Sequence, residues 1–156
     1  MKKILFVCHG NICRSPMAEF VLRDILKKRG IAGVYVESAA TSTEELGNRV
    51  HRGTAAILSR LGIDCSAKRA RQITKADYGE FDLLIGMDSA NIRNMTRYWG
   101  DPQHKIHKLL DFTERHGEDI SDPWYTGDFE RTYLDVKQGC EGLIGTMDNG
   151  QWKIDN

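Results

Sequence analysis

A chain of 156 residues is the length of one domain, and its 22 Lys plus Arg against 22 Asp plus Glu leave no net charge to draw it to nucleic acid or an anionic membrane. Any anion must therefore be caught locally. Lys2-Lys3 leads only into the apolar run Ile4 to Cys8, too short for a signal peptide or a membrane span, and four Cys at irregular spacings suggest a reducing cytoplasm rather than a disulfide framework. In chain order, Lys3 to Val7 reads as a buried strand. Ser15-Pro16 then starts a helix, with Ser15 as cap, Pro16 at the first helical position, Met17, Phe20, Val21, Leu22 and Ile25 on an apolar stripe and Gly30 as stop. Val34 to Glu37 is a second strand, Ala39 to Asn48 a polar loop, and Arg52 to Leu61 a helix ending at Gly62. Phe81 to Met87 is a third strand and Ser89 to Tyr98 a helix capped by Ser89, followed by a weak strand at Lys105 to Leu109 and a helix from Asp128 to about Leu143. This alternation implies one α/β domain over 1–156, with a mostly parallel sheet covered by helices on both faces.

In such a fold, ligands bind at the carboxyl ends of the strands, near the switch in strand order. Cys8 lies at that end of the first strand, and the residues after it form a turn that feeds a helix N-terminus. Backbone N–H groups and the helix dipole there favour an anion. Gly10 suits close backbone approach, Asn11 tolerates left-handed φ, and Arg14 offers a planar fork for two phosphate oxygens. The same positive surroundings favour Cys8 as thiolate, a nucleophile beside a bound oxyanion. Spacing alone would not single out this pair, because Cys65 and Arg71 repeat it. That second stretch, CSAKRAR, lacks Gly, follows no strand and opens no capped helix, so Cys65 is read as structural, as is Cys140 on the last helix.

VCHGNICRS resembles the signature of the low-molecular-weight protein tyrosine phosphatases. The likeness continues in the family's order through ESAATS (37–42), ARQIT (70–74), MDSAN (87–91) and DPWY (122–125). The resemblance implies the flavodoxin-like four-stranded parallel sheet of the phosphotyrosine protein phosphatase I fold. It also implies Cys8 as nucleophile, Arg14 as phosphate binder and Asp122 as general acid. His9, Gly10, Asn11, Ile12, Cys13 and Ser15 would form the rest of the phosphate loop, with the Ser15 hydroxyl bonded to Cys8, Asn11 holding the loop's shape with Ser38, and Asp88 in support. The His9 backbone N–H is expected to matter more than its ring, and Cys13 would be the redox partner of Cys8, pairing with it in a disulfide under oxidant.

The chemistry also asks for an acid, since a tyrosine leaving group would depart as a phenolate of pKa about 10. Of the two Asp-Pro pairs, Asp101 after Gly100 is explained as a turn residue, while Asp122 precedes Trp124 and Tyr125, which could wall a pocket for a flat ring. The expected partner is a phosphotyrosine-containing protein or a small aryl phosphate, handled by a cytoplasmic monomer without cofactor or metal, nucleic acid or membrane. Of the five His, His104 and His107 flank a strand and His51 and His116 are expected at the surface, which gives no ligand set. Two positions depart from the family: Glu44 stands where many members have Trp, so an aromatic wall is replaced by an acidic edge, and Lys68 stands where eukaryotic members have His. Three alternatives remain: a thioredoxin-coupled arsenate reductase, for which further Cys are poorly placed; a phosphocysteine carrier of a sugar phosphotransferase system, which Arg14 and Asp122 argue against; and a phosphotyrosine-binding module without turnover.

Overall fold

The structure is a computed structural model that describes residues 1–148 and 151–152. Strands β1 (Lys2–Cys8), β2 (Val34–Ala40), β3 (Leu83–Gly86) and β4 (Ile106–Lys108) form a parallel sheet in the order β2-β1-β3-β4. Strand β1 is paired on both sides, which is why Ile4 to Val7 is a continuous apolar run with no exposed surface. Alternation along it divides the core: Ile4, Phe6 and Cys8 face one cluster and Leu5 and Val7 the other. The first is covered by α1 (Arg14–Lys28), α2 (Arg52–Arg60) and α6 (Phe129–Gly145), the second by α3 (Lys75–Glu80) and α4 (Ser89–Trp99). A four-residue helix α5 (Pro123–Thr126) precedes α6, and the two-residue strands β5 (Met147–Asp148) and β6 (Gln151–Trp152) pair antiparallel.

This is the expected flavodoxin-like order, in which the chain leaves β1 for β2 on one side and later returns to β3 on the other. The segments after β1 and β3 part at that switch and open a crevice at the sheet's carboxyl edge. No helix among the described residues is long and apolar enough to cross a membrane.

Several local expectations are corrected. The N-cap of α1 is Cys13, which makes no side-chain cap bond, and the Ser15 hydroxyl turns instead to Cys8 and Asn11. Asp88, not Ser89, caps α4, in a reciprocal box with Asn91. Strand β2 runs on through Ala39 and Ala40, which were expected to start the loop. Strand β3 is shorter than expected because the Phe81 N–H closes α3 by bonding Asp77 O rather than the sheet. Helix α3 and the 3-10 turn Leu109–Phe112 were not anticipated; α3, boxed by Thr74 and Asp77, is too short to show a period. Asp101 does sit in a turn, at φ 101, its carboxylate accepting from Tyr78 Oη and the Lys105 N–H.

Candidate active site

Between β1 and α1 the chain turns sharply, and its carbonyls are drawn outward. Cys8 O accepts from Thr41 N at 3.0 Å, His9 O from Ser42 N at 3.1 Å, Ile12 O from His51 N at 2.8 Å, and Cys13 O from Thr54 Oγ1 at 3.0 Å. Among the described residues, none of the backbone N–H groups of residues 9–14 meets an acceptor. Those donors are left to the concave side, at the positive end of α1. The turn depends on Asn11, which sits at φ 59 and is 1% exposed. Its amide donates to Ser15 Oγ at 2.8 Å and Ser38 Oγ at 2.9 Å and accepts from Arg71 N at 3.2 Å.

These bonds have a direction. Because Ser15 Oγ accepts from Asn11, its own proton is free for Cys8 Sγ, 2.9 Å away. Ser38 likewise accepts from Asn11 and donates to Glu19, a carboxylate buried on α1. Glu19 is held by Arg23 at 2.6 Å and Lys68 at 3.2 Å, and Lys68 also donates to Ser38 O at 2.8 Å. Burial pulls the Lys68 pKa below its usual value even though Glu19 opposes the shift. Lys68 thus reaches the phosphate loop indirectly, through Glu19 and Ser38, the latter bonded to Asn11. Glu19 was not anticipated, since nothing local marks it apart from other charges on a helix.

Arg14 is 3% exposed and fixed from behind: one guanidinium nitrogen donates to Asp88 at 2.7 Å and to Ile120 O at 2.8 Å, and the other lies 3.5 Å from Asp122. Burial alone would lower the Arg14 pKa, but charge on Cys8, Asp88 and Asp122 outweighs it and pushes the value up. Asp88 serves twice, its second oxygen capping α4 through Asn91 N at 2.8 Å. An open pocket is lined by Cys8, His9, Gly10, Ile12, Cys13 and Arg14 from the loop and by Glu44, Glu45, Asp122, Trp124 and Tyr125 from facing segments. Asn11, Ser15, Ser38 and Asp88 stand behind this lining.

Trp124 and Tyr125 are 58% and 84% exposed and flank Asp122 at the mouth. The His9 ring meets Glu44 at 2.9 Å, and both residues line the pocket. A Cβ on Gly10 would come 3.3 Å from Glu45 Cγ, so the Glu45 side chain packs over this glycine. Cys13 is a buried free thiol whose pKa is pushed up to about 12, first by burial and then by charge on Cys8 and Asp122. Cys65 and Cys140 lie in the core, away from the pocket lining, with pKa values raised by burial. His51, expected at the surface, is instead half-buried between the phosphate loop and the Asp122 segment. Among the described residues, no three His, Cys, Asp or Glu side chains form a group that could hold a metal ion.

Comparison with known proteins agrees with this geometry. The family model for low molecular weight phosphotyrosine protein phosphatase matches residues 3–152. The low molecular weight protein-tyrosine-phosphatase YfkJ of Bacillus subtilis is 42% identical over 151 residues, covering 94% of this chain and 96% of that protein. Its crystal structure superposes with a TM-score of 0.88 over 93% of each chain, at 41% identity. The crystal structure of SP-PTP, a low molecular weight protein tyrosine phosphatase from Streptococcus pyogenes, gives a TM-score of 0.81 and 44% identity over 95% of each chain.

Proposed function

The chain belongs to the low molecular weight phosphotyrosine protein phosphatase family and is a protein-tyrosine phosphatase, and from that premise we propose how its residues divide the work. Cys8, as thiolate, attacks the phosphorus of a phosphotyrosyl group in line, and the phenol oxygen leaves with a proton from Asp122. The carboxylate so formed takes a proton from water as that water attacks the phosphocysteine, releasing inorganic phosphate and restoring the thiolate. Throughout, Arg14 and the N–H groups of residues 9–14 hold the equatorial oxygens, where charge is greatest.

The observation that carries this reading is the directed chain from Asn11 through Ser15 to Cys8 Sγ, 2.9 Å from the hydroxyl, beside an Arg14 held from behind by Asp88 and Ile120. A hydroxyl whose proton is free to donate to sulfur stabilises the thiolate and offers the phosphocysteine a better leaving group in the second step. Ser38 and Asp88 are supporting residues, Trp124, Tyr125 and Glu44 wall the pocket, and Cys13 is the redox partner of Cys8. The substrates are phosphotyrosine proteins, with small aryl phosphates also accepted; the protein acts as a monomer in the cytoplasm, and the family match supports reading the chain as one phosphatase domain.

The test is phosphate release from a phosphotyrosyl peptide with chelator present. Cys8→Ser should abolish turnover, and Asp122→Asn should lower it about 10²- to 10⁴-fold, the usual share of an acid catalyst. Persistence of turnover in Cys8→Ser, or full activity in Asp122→Asn, would remove the corresponding role.

A further inference from the structure

We propose that His51 is a positioning residue for the general acid, tying the segment that carries Asp122 to the phosphate loop; the proposal rests on the reading of Asp122 as that acid. His51 immediately precedes α2 and is half-buried, with contacts to the loop, the helix and two aromatic rings. Its backbone N–H donates to Ile12 O at 2.8 Å, a direct bond to the phosphate loop. Its Nδ1 accepts from Gly53 N at 3.0 Å, which caps α2, puts the ring proton on Nε2 and fixes the ring's orientation. That ring stacks on Phe129, with centroids 5.0 Å apart and planes 15° apart, and meets Trp124 edge-on at 5.8 Å and 78°.

The arrangement is built rather than incidental. Phe129 is the first residue of α6 and packs against Ile12 and Cys13 of the loop. It reaches that position because residue 53 is glycine: a Cβ there would lie 2.6 Å from the Phe129 ring. Trp124 stands two residues after Asp122, and its backbone N–H donates to the Asp122 carboxylate at 3.0 Å. Residues 124–128 are otherwise exposed, and the Arg14 to Asp122 contact is long, at 3.5 Å. Arg14 holds the segment before the acid through Ile120 O, and the His51 ring is the aromatic contact that ties the segment after it to the loop that holds the phosphate. Proton transfer to a leaving oxygen depends on that separation, because donor and acceptor must meet within hydrogen-bond reach.

His51→Asn separates the two roles of this residue, since Asn is a good N-cap and keeps an oxygen for Gly53 N while removing the ring. The readout is kcat/KM on two substrates, 4-nitrophenyl phosphate, whose phenol leaves without help, and phenyl phosphate, whose phenol needs the proton. The variant should lose about tenfold on phenyl phosphate and less than about twofold on 4-nitrophenyl phosphate, because a displaced acid harms only the reaction that needs it. A fold defect would lower both alike. Asp122→Asn in parallel should show a larger loss of the same kind.

If Asp122→Asn is selective while His51→Asn leaves the ratio of the two substrates unchanged, or lowers both equally, His51 does not position the acid. If Asp122→Asn itself is not selective, the acid has been misassigned and the proposal for His51 falls with it. Should His51→Asn fail to fold, Phe129→Leu removes the stacked partner from the other side and must produce the same selective loss.

Discussion

Replacing Asn11 separates the backbone and side-chain contributions to the phosphate loop. Asn11→Ala removes two donors and one acceptor at a site 1% exposed and puts an ordinary side chain at φ 59. Leaving Ser15, Ser38 and the Arg71 N–H without these partners costs about 1 kcal/mol or more each, and the left-handed backbone about 1 kcal/mol beyond what Asn pays, for a loss of roughly 3–5 kcal/mol. Asn11→Gly makes the same polar loss without the steric penalty, but its unfolded chain is more flexible, so it should be more stable than Asn11→Ala by about 0.5–1 kcal/mol. Urea titration of the three proteins reads both quantities. Activity should fall about 10²-fold in both variants, since Ser15 is no longer oriented toward Cys8. The reasoning is refuted if both variants unfold within 1 kcal/mol of the wild type, or if Ala proves the more stable.

Two further outcomes follow from buried charges around the same loop. Lys68→Met leaves Glu19, 3% exposed, with Arg23 as its remaining cation; because that cation is half in water, the loss should be about 2 kcal/mol rather than the 3–5 of a fully broken buried pair. Adding Glu19→Gln should recover part of it, which a double-mutant cycle by urea denaturation reads directly. Cys13 has a folded pKa of about 12 against an ordinary 9.0, so above pH 9 the unfolded chain loses a proton that the folded one keeps. Its contribution therefore weakens as pH rises through that window, by about 1.4 kcal/mol per pH unit. Urea midpoints from pH 8 to pH 10.5 should fall less steeply in Cys13→Ala than in the wild type, and equal slopes would show the thiol is not held protonated.

What could be read from the sequence divides along the range of the interactions. The nucleophile and its anion cradle were legible because Cys8 to Arg14 is one contiguous turn between a strand and a helix, and its chemistry is local. The two central strands were legible because Ile4–Val7 and Leu83–Ile85 are apolar runs buried on both faces. Ser15 shows where local rules stop: Ser-Pro before an apolar stripe is a sound helix-start signal, yet the hydroxyl is taken by sulfur seven residues back. Ser89 failed by one position: the Asp before it caps the helix in a box with Asn91, while the Ser89 hydroxyl donates to Asp119 and accepts from Lys108. Glu19 and His51 were not legible at all. Their roles come from Ser38 and Lys68 in one case and from Ile12, Trp124 and Phe129 in the other, contacts that no local period or motif encodes.

In the proposed reaction the phosphoryl group passes through Cys8. The most direct measurement is to mix the protein with 4-nitrophenyl phosphate, quench in acid within milliseconds and locate the phosphoryl group by peptide mass spectrometry. The mass of one phosphoryl group should appear on the peptide containing Cys8, absent in Cys8→Ser and more abundant in Asp122→Asn, where hydrolysis of the intermediate is slowed. Phosphate found on another residue, or turnover without any label at Cys8 in either protein, would contradict that route.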